Sequence, residues 1–269
     1  MILPAYSIVI PTYGERGLGF LKNLLPLLSY SCRLSHEVMV VDDGSPDNVA
    51  DELEQVCKLN GAAMLHSNEN KGFASACNAG LIHSNGHVII LVNNDVIPIG
   101  NTFDALAEFC FFSGFGTVGC KLLYPDNRIQ HAGVMYVPPP EGAPHGWFDH
   151  YYRFNDRYFI GATRIREGLC TGALLAINGG IVNAIGGLDE RFGMAAEDID
   201  YQMRCVEAGG RIVYNGYVEA YHLEGATRGN TLESKAAHPE WTEREEKGLV
   251  HLFEKWAGLD MMQFAAKKE

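Results

Sequence analysis

Short apolar runs that stop at polar clusters recur through the first third of the chain. Ser7-Ile8-Val9-Ile10 is β-branched and ends at Pro11, the pattern of a parallel strand buried on both faces and feeding a loop at its carboxyl end. Phe20, Leu21, Leu24, Leu25 and Leu28 then recur at helical spacing. Residues 37–41 form a second apolar run, closed by Asp42-Asp43-Gly44-Ser45. The pattern goes on with a polar-faced helix around 51–59, a brief strand near 63–66, a helix around 74–83 opened by the Gly72 turn, and a strand at 88–92. Strand and helix in alternation predict an α/β fold with a mostly parallel central sheet and right-handed crossovers. Ligands of such sheets bind outside the carboxyl ends of the strands, where these polar clusters lie.

After Asp95 the regularity fades. Residues 103–112 read as a helix, and 114–146 form an irregular stretch rich in Gly and Pro, with Pro138-Pro139-Pro140 in its middle. A strand is expected at 172–177, a helix at 198–208 and a strand at 211–214. The closing helix carries Leu249, Leu252, Phe253 and Trp256 on one face.

Composition narrows the class. A 269-residue chain with 47% hydrophobic and 20% charged residues can build a large folded domain. Its formal net charge of -12 argues against a surface made for nucleic acid, which needs clustered Lys and Arg. Seven scattered cysteines without a CxxC pair suggest neither zinc nor a disulfide framework, and fit a reducing cytoplasm. The opening MILPAYSIVIPTYG lacks a basic segment and meets Pro and Gly too early for a signal peptide. The most apolar long stretch, 169–187, is interrupted by Asn178, Asn183 and glycines, so membrane contact is expected to be peripheral.

Four clusters carry candidate chemistry. Asp42-Asp43 at a strand end suits ribose hydroxyls and a base N–H, or alternatively a turn or helix cap. Asn93-Asn94-Asp95 ends the 88–92 strand with oxygen ligands for a hard divalent cation, with Asp95 as the direct ligand, or alternatively as a turn former after the strand. Glu197-Asp198-Ile199-Asp200 opens a helix; Asp198 is the candidate base, Glu197 the fallback, and Asp200 with Arg204 falls at salt-link spacing. His222, followed by Gly225, Thr227 and Arg228, offers an imidazole for the cation and a guanidinium for phosphates.

Taken in order, these segments resemble a family 2 glycosyltransferase of the GT-A fold, of the bacterial rhamnosyltransferase and O-antigen type. The resemblance runs from near residue 6 to near residue 257. It rests on Ser7-Ile8-Val9-Ile10-Pro11-Thr12-Tyr13, on Val40-Val41-Asp42-Asp43-Gly44-Ser45, and on Asn70-Lys71-Gly72-Phe73-Ala74 with Asn78 and Gly80, like the family's NxGxAxxxNxG segment. Asn93-Asn94-Asp95 stands at the DxD position with Asn for the first Asp, and Gly187-Leu188-Asp189-Glu190 with Glu197-Asp198 matches the segment that delivers the base. Gln130-His131-Ala132-Gly133-Val134 resembles a segment of the O-antigen subgroup.

The resemblance implies a single Rossmann-like GT-A domain: a nucleotide-sugar half at 1–98, an acceptor and catalytic half at 99–234, and a C-terminal helix at 235–269. It implies an inverting transfer from a UDP- or dTDP-sugar to a hydroxyl of a glycan or lipid-linked glycan. Mn²⁺ or Mg²⁺ would sit on Asp95 and His222. Donor contacts would come from Pro11, Thr12, Tyr13 and Glu15, from Asp42 and Asp43, from Lys71, Gly72 and Asn78, and from Asn93, Asn94 and Arg228. Alternative acceptors are a protein or modified phage DNA, and an inactive nucleotide-sugar-binding module is a further alternative. A sugar-nucleotide pyrophosphorylase fits less well because its Gly-rich loop is missing after the first strand, and an oxidoreductase because no GxGxxG is present there.

Overall fold

A computed structural model describes residues 5–193, 195–223 and 239–265. The first half is the expected alternation: β1 (Tyr6–Thr12), α1 (Gly14–Ser31), β2 (His36–Asp42), α2 (Asp47–Leu59), β3 (Ala63–His66), α3 (Phe73–His83) and β4 (Val88–Val92). These four strands are parallel, in the order β4-β1-β2-β3. Because β1 is buried along its whole length, its side chains serve two cores alternately. Ile8 and Ile10 face α1, α2 and α4 (Thr102–Ser113), whereas Val9 faces α3. Each fully buried Ile or Leu of this kind contributes about 1.5–3 kcal/mol.

Beyond β4 the sheet becomes mixed. β5 (Val96–Pro98), β6 (Thr117–Leu123), β7 (Ile129–His131), β10 (Ile165–Glu167), β11 (Leu174–Asn178) and β12 (Ile212–His222) complete ten strands. β11 lies antiparallel between β4 and β6, while β12 runs parallel to β6. β8 (Val134–Val137) and β9 (Trp147–His150) form a separate two-stranded ribbon.

The expectation of an irregular 114–146 stretch is corrected by β6, a wholly buried strand in the middle of the sheet. Gly119 and Lys121 had interrupted its apolar pattern. Gly119 is needed because a Cβ there would lie 2.4 Å from the Cβ of Cys170. Lys121 is 2% exposed, with its ammonium on Glu219 at 2.6 Å and on the Arg157 carbonyl at 3.0 Å.

α5 (Gly179–Ile185) and α6 (Glu197–Glu207) cover the same sheet face as α3. The closing helix α7 (Pro239–Lys255) buries Leu252, and Trp256 just beyond it, against Phe192, Ile199 and Met203. Among the described residues no helix is long and apolar enough to cross a membrane, and all seven cysteines are buried thiols.

Candidate active site at the carboxyl ends of the strands

Four elements end at one edge and carry the expected donor residues. At the end of β2 the two aspartates divide their work. Asp42 is fully buried; its Oδ1 accepts from the Ser45 hydroxyl and, at 3.2 Å, from the Ser45 amide, while Oδ2 lies 2.7 Å from Nδ1 of His66. Asp42 therefore ties the turn to β3 through these contacts. Asp43 reaches forward instead, accepting the Lys71 amide at 2.9 Å on Oδ1 and the Gly72 amide at 2.7 Å on Oδ2. Burial raises the Asp43 pKa despite these hydrogen bonds. Gly44 is required between them and Ser45: its φ is +80°, and a Cβ would meet the Glu69 carbonyl carbon at 2.4 Å.

The β1 loop joins the same edge. Pro11 is buried, Thr12 Oγ1 accepts from the Asn94 side-chain NH2 at 3.0 Å, and Ser45 Oγ accepts from the Gly14 backbone amide at 2.7 Å. Tyr13 and Glu15 stand exposed beside this tie, as does Lys71 across from it. Asn78 acts as a clamp. Its amide oxygen accepts from Leu188 at 2.7 Å and its nitrogen donates to the Leu188 carbonyl and to Glu190, both at 2.9 Å. Residues 188–190 are thereby held onto α3.

Asp95 and His222 meet. Nε2 of the imidazole is 3.2 Å from Oδ1 of Asp95 and 3.4 Å from the Asn93 amide nitrogen. The sheet forces this approach, since His222 at the end of β12 pairs with Val96 of β5, and the Leu223 amide donates to the Asp95 carbonyl at 3.1 Å. Asp95 is 6% exposed. Among the described residues no group of three His, Cys, Asp or Glu side chains is arranged to hold a metal. A carboxylate and an imidazole still fit Mg²⁺ or Mn²⁺, ions commonly held by one or two protein ligands with substrate phosphates and water filling the remaining positions.

Asp198 lies in the first turn of α6, where helix amide dipoles favour a negative charge. The preceding Ala196 adopts the left-handed conformation at φ 70°, unusual for a residue with a Cβ. Asp198 is half-buried and its Oδ2 accepts from the Gly172 amide at 2.6 Å. Glu197 is buried, and burial, with smaller contributions from the Glu197 and Asp43 charges, pushes the Cys77 thiol well up. Asp200 is committed: it receives Arg204 at 2.8 Å, Trp256 at 2.9 Å and Lys255 at 2.7 Å.

The short lead into β11 joins both sides. Gly172 holds Asp198 through its amide, and the carbonyl of the next residue, Ala173, accepts from the Asn93 amide at 2.9 Å. A Cβ at Gly172 would lie 2.9 Å from that of Asp198, so the glycine sets how closely the carboxylate approaches. Asp198 also lines a small cavity with Phe73, Gly172 and Tyr201, which brings it next to the start of α3 and so to the Lys71-Gly72 turn. Sequence reasoning missed His66 and Gly172. The register pairing of Asp42 with His66 at the end of β3 gave the first away only in three dimensions. Arg228 lies outside the described residues.

The model of glycosyl transferase family 2 matches residues 7–160, more than half of the chain. The chain belongs to glycosyl transferase family 2. This glycosyltransferase chain is 33% identical over 247 residues to the uncharacterised protein y4gI of Sinorhizobium fredii, covering 87% of the chain and 26% of the relative. It is 26% identical over 239 residues to the O-antigen biosynthesis protein RfbC of Myxococcus xanthus, covering 84% of the chain and 18% of the relative. The chain thus spans about a quarter or less of these two relatives. Among solved structures it is similar to the mannosyltransferase PcManGT of Pyrobaculum calidifontis in complex with GDP-Man and Mn²⁺, with a TM-score of 0.60 at 16% identity. That match covers 97% of the chain and 77% of the mannosyltransferase. The glycosyltransferase fold is GT-A.

Proposed function

We propose that the chain transfers one sugar, with inversion, from a UDP- or dTDP-sugar to an acceptor hydroxyl. The acceptor is a glycan or lipid-linked glycan of the O-antigen kind. Support for the glycan comes from the similarity to RfbC, and the cation is in keeping with the Mn²⁺ in the PcManGT complex. The observation that carries the reading is the Gly172-Ala173 lead into β11, two adjacent residues that tie Asp198 and the Asn93–Asp95 turn together.

In this reading Asp43 shapes the Lys71-Gly72 turn against the nucleoside, with Thr12, Tyr13, Glu15 and Lys71 around it. Asp95 and His222 would hold Mn²⁺ or Mg²⁺, which supplies charge neutralisation to the departing diphosphate. Asp198 accepts the proton from the acceptor hydroxyl as its oxygen attacks the anomeric carbon from the side opposite the leaving group. The nucleoside diphosphate departs with the bonding electrons, and the attack through an oxocarbenium-like transition state inverts the centre. Seven buried thiols suit a reducing cytoplasm.

Thermal denaturation against UDP-glucose, UDP-N-acetylglucosamine and dTDP-rhamnose, each with Mn²⁺, tests this. The true donor at a hundred times its Kd adds about 2.7 kcal/mol and raises Tm, with the gain lost on adding EDTA. No shift with any nucleotide sugar, or a shift indifferent to EDTA, contradicts the reading.

A further inference from the structure

Gln130 and His131 are consecutive residues of β7, both buried, and strand alternation turns them to opposite sides. Neither is a donor, base or metal ligand in the proposed transfer. We infer that this dipeptide is one positioning element for both halves of the site, with Gln130 acting through His222 and His131 through the amides beside Asp198. The inference rests on the proposed cation site and deepens it.

The Gln130 contacts assign the imidazole's tautomer. Its amide nitrogen donates to the His222 carbonyl at 3.2 Å, and because a carbonyl can only accept, the other end of the amide must be oxygen. That oxygen, Oε1, lies 2.8 Å from Nδ1 of His222, so Nδ1 carries the hydrogen. Nε2 is then the nitrogen with the lone pair, approached by the Asn93 side-chain NH2 at 3.4 Å, and it is the one turned to Asp95 at 3.2 Å. Fixing the far nitrogen of an imidazole by an outer hydrogen bond orients the ring and selects the coordinating atom.

His131 works on the other side. Its Nε2 lies 3.3 Å from the Gly133 amide and 3.4 Å from the Thr171 amide, so it accepts from both. Nδ1 then carries the hydrogen and faces Nδ1 of His150 at 3.2 Å. Thr171 immediately precedes Gly172, whose amide holds Asp198. A neutral imidazole anchors this turn, in keeping with a pKa pushed well down first by burial and then by His150, His222 and Arg153. Neighbouring side chains of one strand thus fix the cation ligand and the lead whose Gly172 amide holds the base.

Electron paramagnetic resonance of free Mn²⁺ in the presence of UDP, repeated with dTDP, separates the roles. Gln130→Leu is expected to weaken nucleotide-dependent Mn²⁺ binding by about 10- to 100-fold, the usual effect of losing an outer partner. Gln130→Glu, which keeps an acceptor for Nδ1, is expected to recover most of it. His131→Phe is expected to leave Mn²⁺ binding as in wild type and to lower kcat without raising the donor KM, measured on the nucleotide sugar that most raises Tm. His131→Gln, which can still accept from an amide, restores kcat and keeps the test valid if the Phe variant misfolds. Wild-type Mn²⁺ affinity in Gln130→Leu, or equal loss of Mn²⁺ binding in Gln130→Leu and His131→Gln, overturns the inference alone. Absence of nucleotide-dependent Mn²⁺ binding in the wild type overturns the cation reading with it.

Discussion

At the scale of single residues, adjacent acidic side chains of like appearance do different work. Asp42 saturates its carboxylate on Ser45 and His66, whereas Asp43 turns to the Lys71 and Gly72 amides. Asp198 stays half-buried while Asp200 is closed off by Arg204, Lys255 and Trp256. Asp95→Ala removes one of two side chains proposed for the cation and leaves His222 facing an apolar methyl. Calorimetric titration of UDP with Mn²⁺ should then show donor-nucleotide binding weakened to the level that wild type shows in EDTA; an undiminished Mn²⁺-dependent signal contradicts this. Such divisions could be read only partly from the sequence. The pairing of Asp200 with Arg204 follows from helical spacing, but the pairing of Asp42 with His66 depends on strand register, which one-dimensional pattern does not give.

Between elements, two buried ionic clusters hold the later part of the chain to the sheet. Asp200 joins α6 to α7 through Lys255 and Trp256. Asp200→Ala leaves the buried Trp256 indole N–H and the partly buried Arg204 and Lys255 without their shared acceptor and is expected to cost about 1–3 kcal/mol in urea denaturation; a loss under about 0.5 kcal/mol would show the links to be incidental. Glu219 of β12 receives Lys121 at 2.6 Å and Arg157 at 2.6 Å. Burial alone would raise its pKa, but the hydrogen bonds from Arg157 and Lys121 outweigh burial and hold it below the ordinary value. A folded pKa below the unfolded value, about 4.3, means that the stabilisation is present above that pH and is lost as pH falls through the folded pKa. Glu219→Gln should therefore flatten the acid limb of stability below about pH 4.3; an unchanged slope contradicts the assignment. The same cluster explains why β6 hid in the sequence: a lysine inside a strand reads as polar until its partners from β12 and the Arg157 loop are present.

For the whole molecule, the parallel half was legible because its strands are uninterrupted apolar runs with polar clusters after them, as in residues 7–12 and 88–95. In the mixed half several elements were themselves legible, as at 102–113, 174–178 and 197–207, but their pairing was not, since β11 is inserted antiparallel between β4 and β6 by long-range contacts. That insertion brings Gly172 and Ala173 beside Asn93, so one strand end touches both the proposed base and the proposed cation side. The proposed mechanism makes these the two halves of one transfer site, with separable roles in proton removal and donor binding. Donor affinity and turnover measured together on Asp198→Asn test that division. Donor and Mn²⁺ binding should match the wild type while turnover falls by about 10²–10⁴; retained turnover, or loss of donor binding along with it, would refute the division.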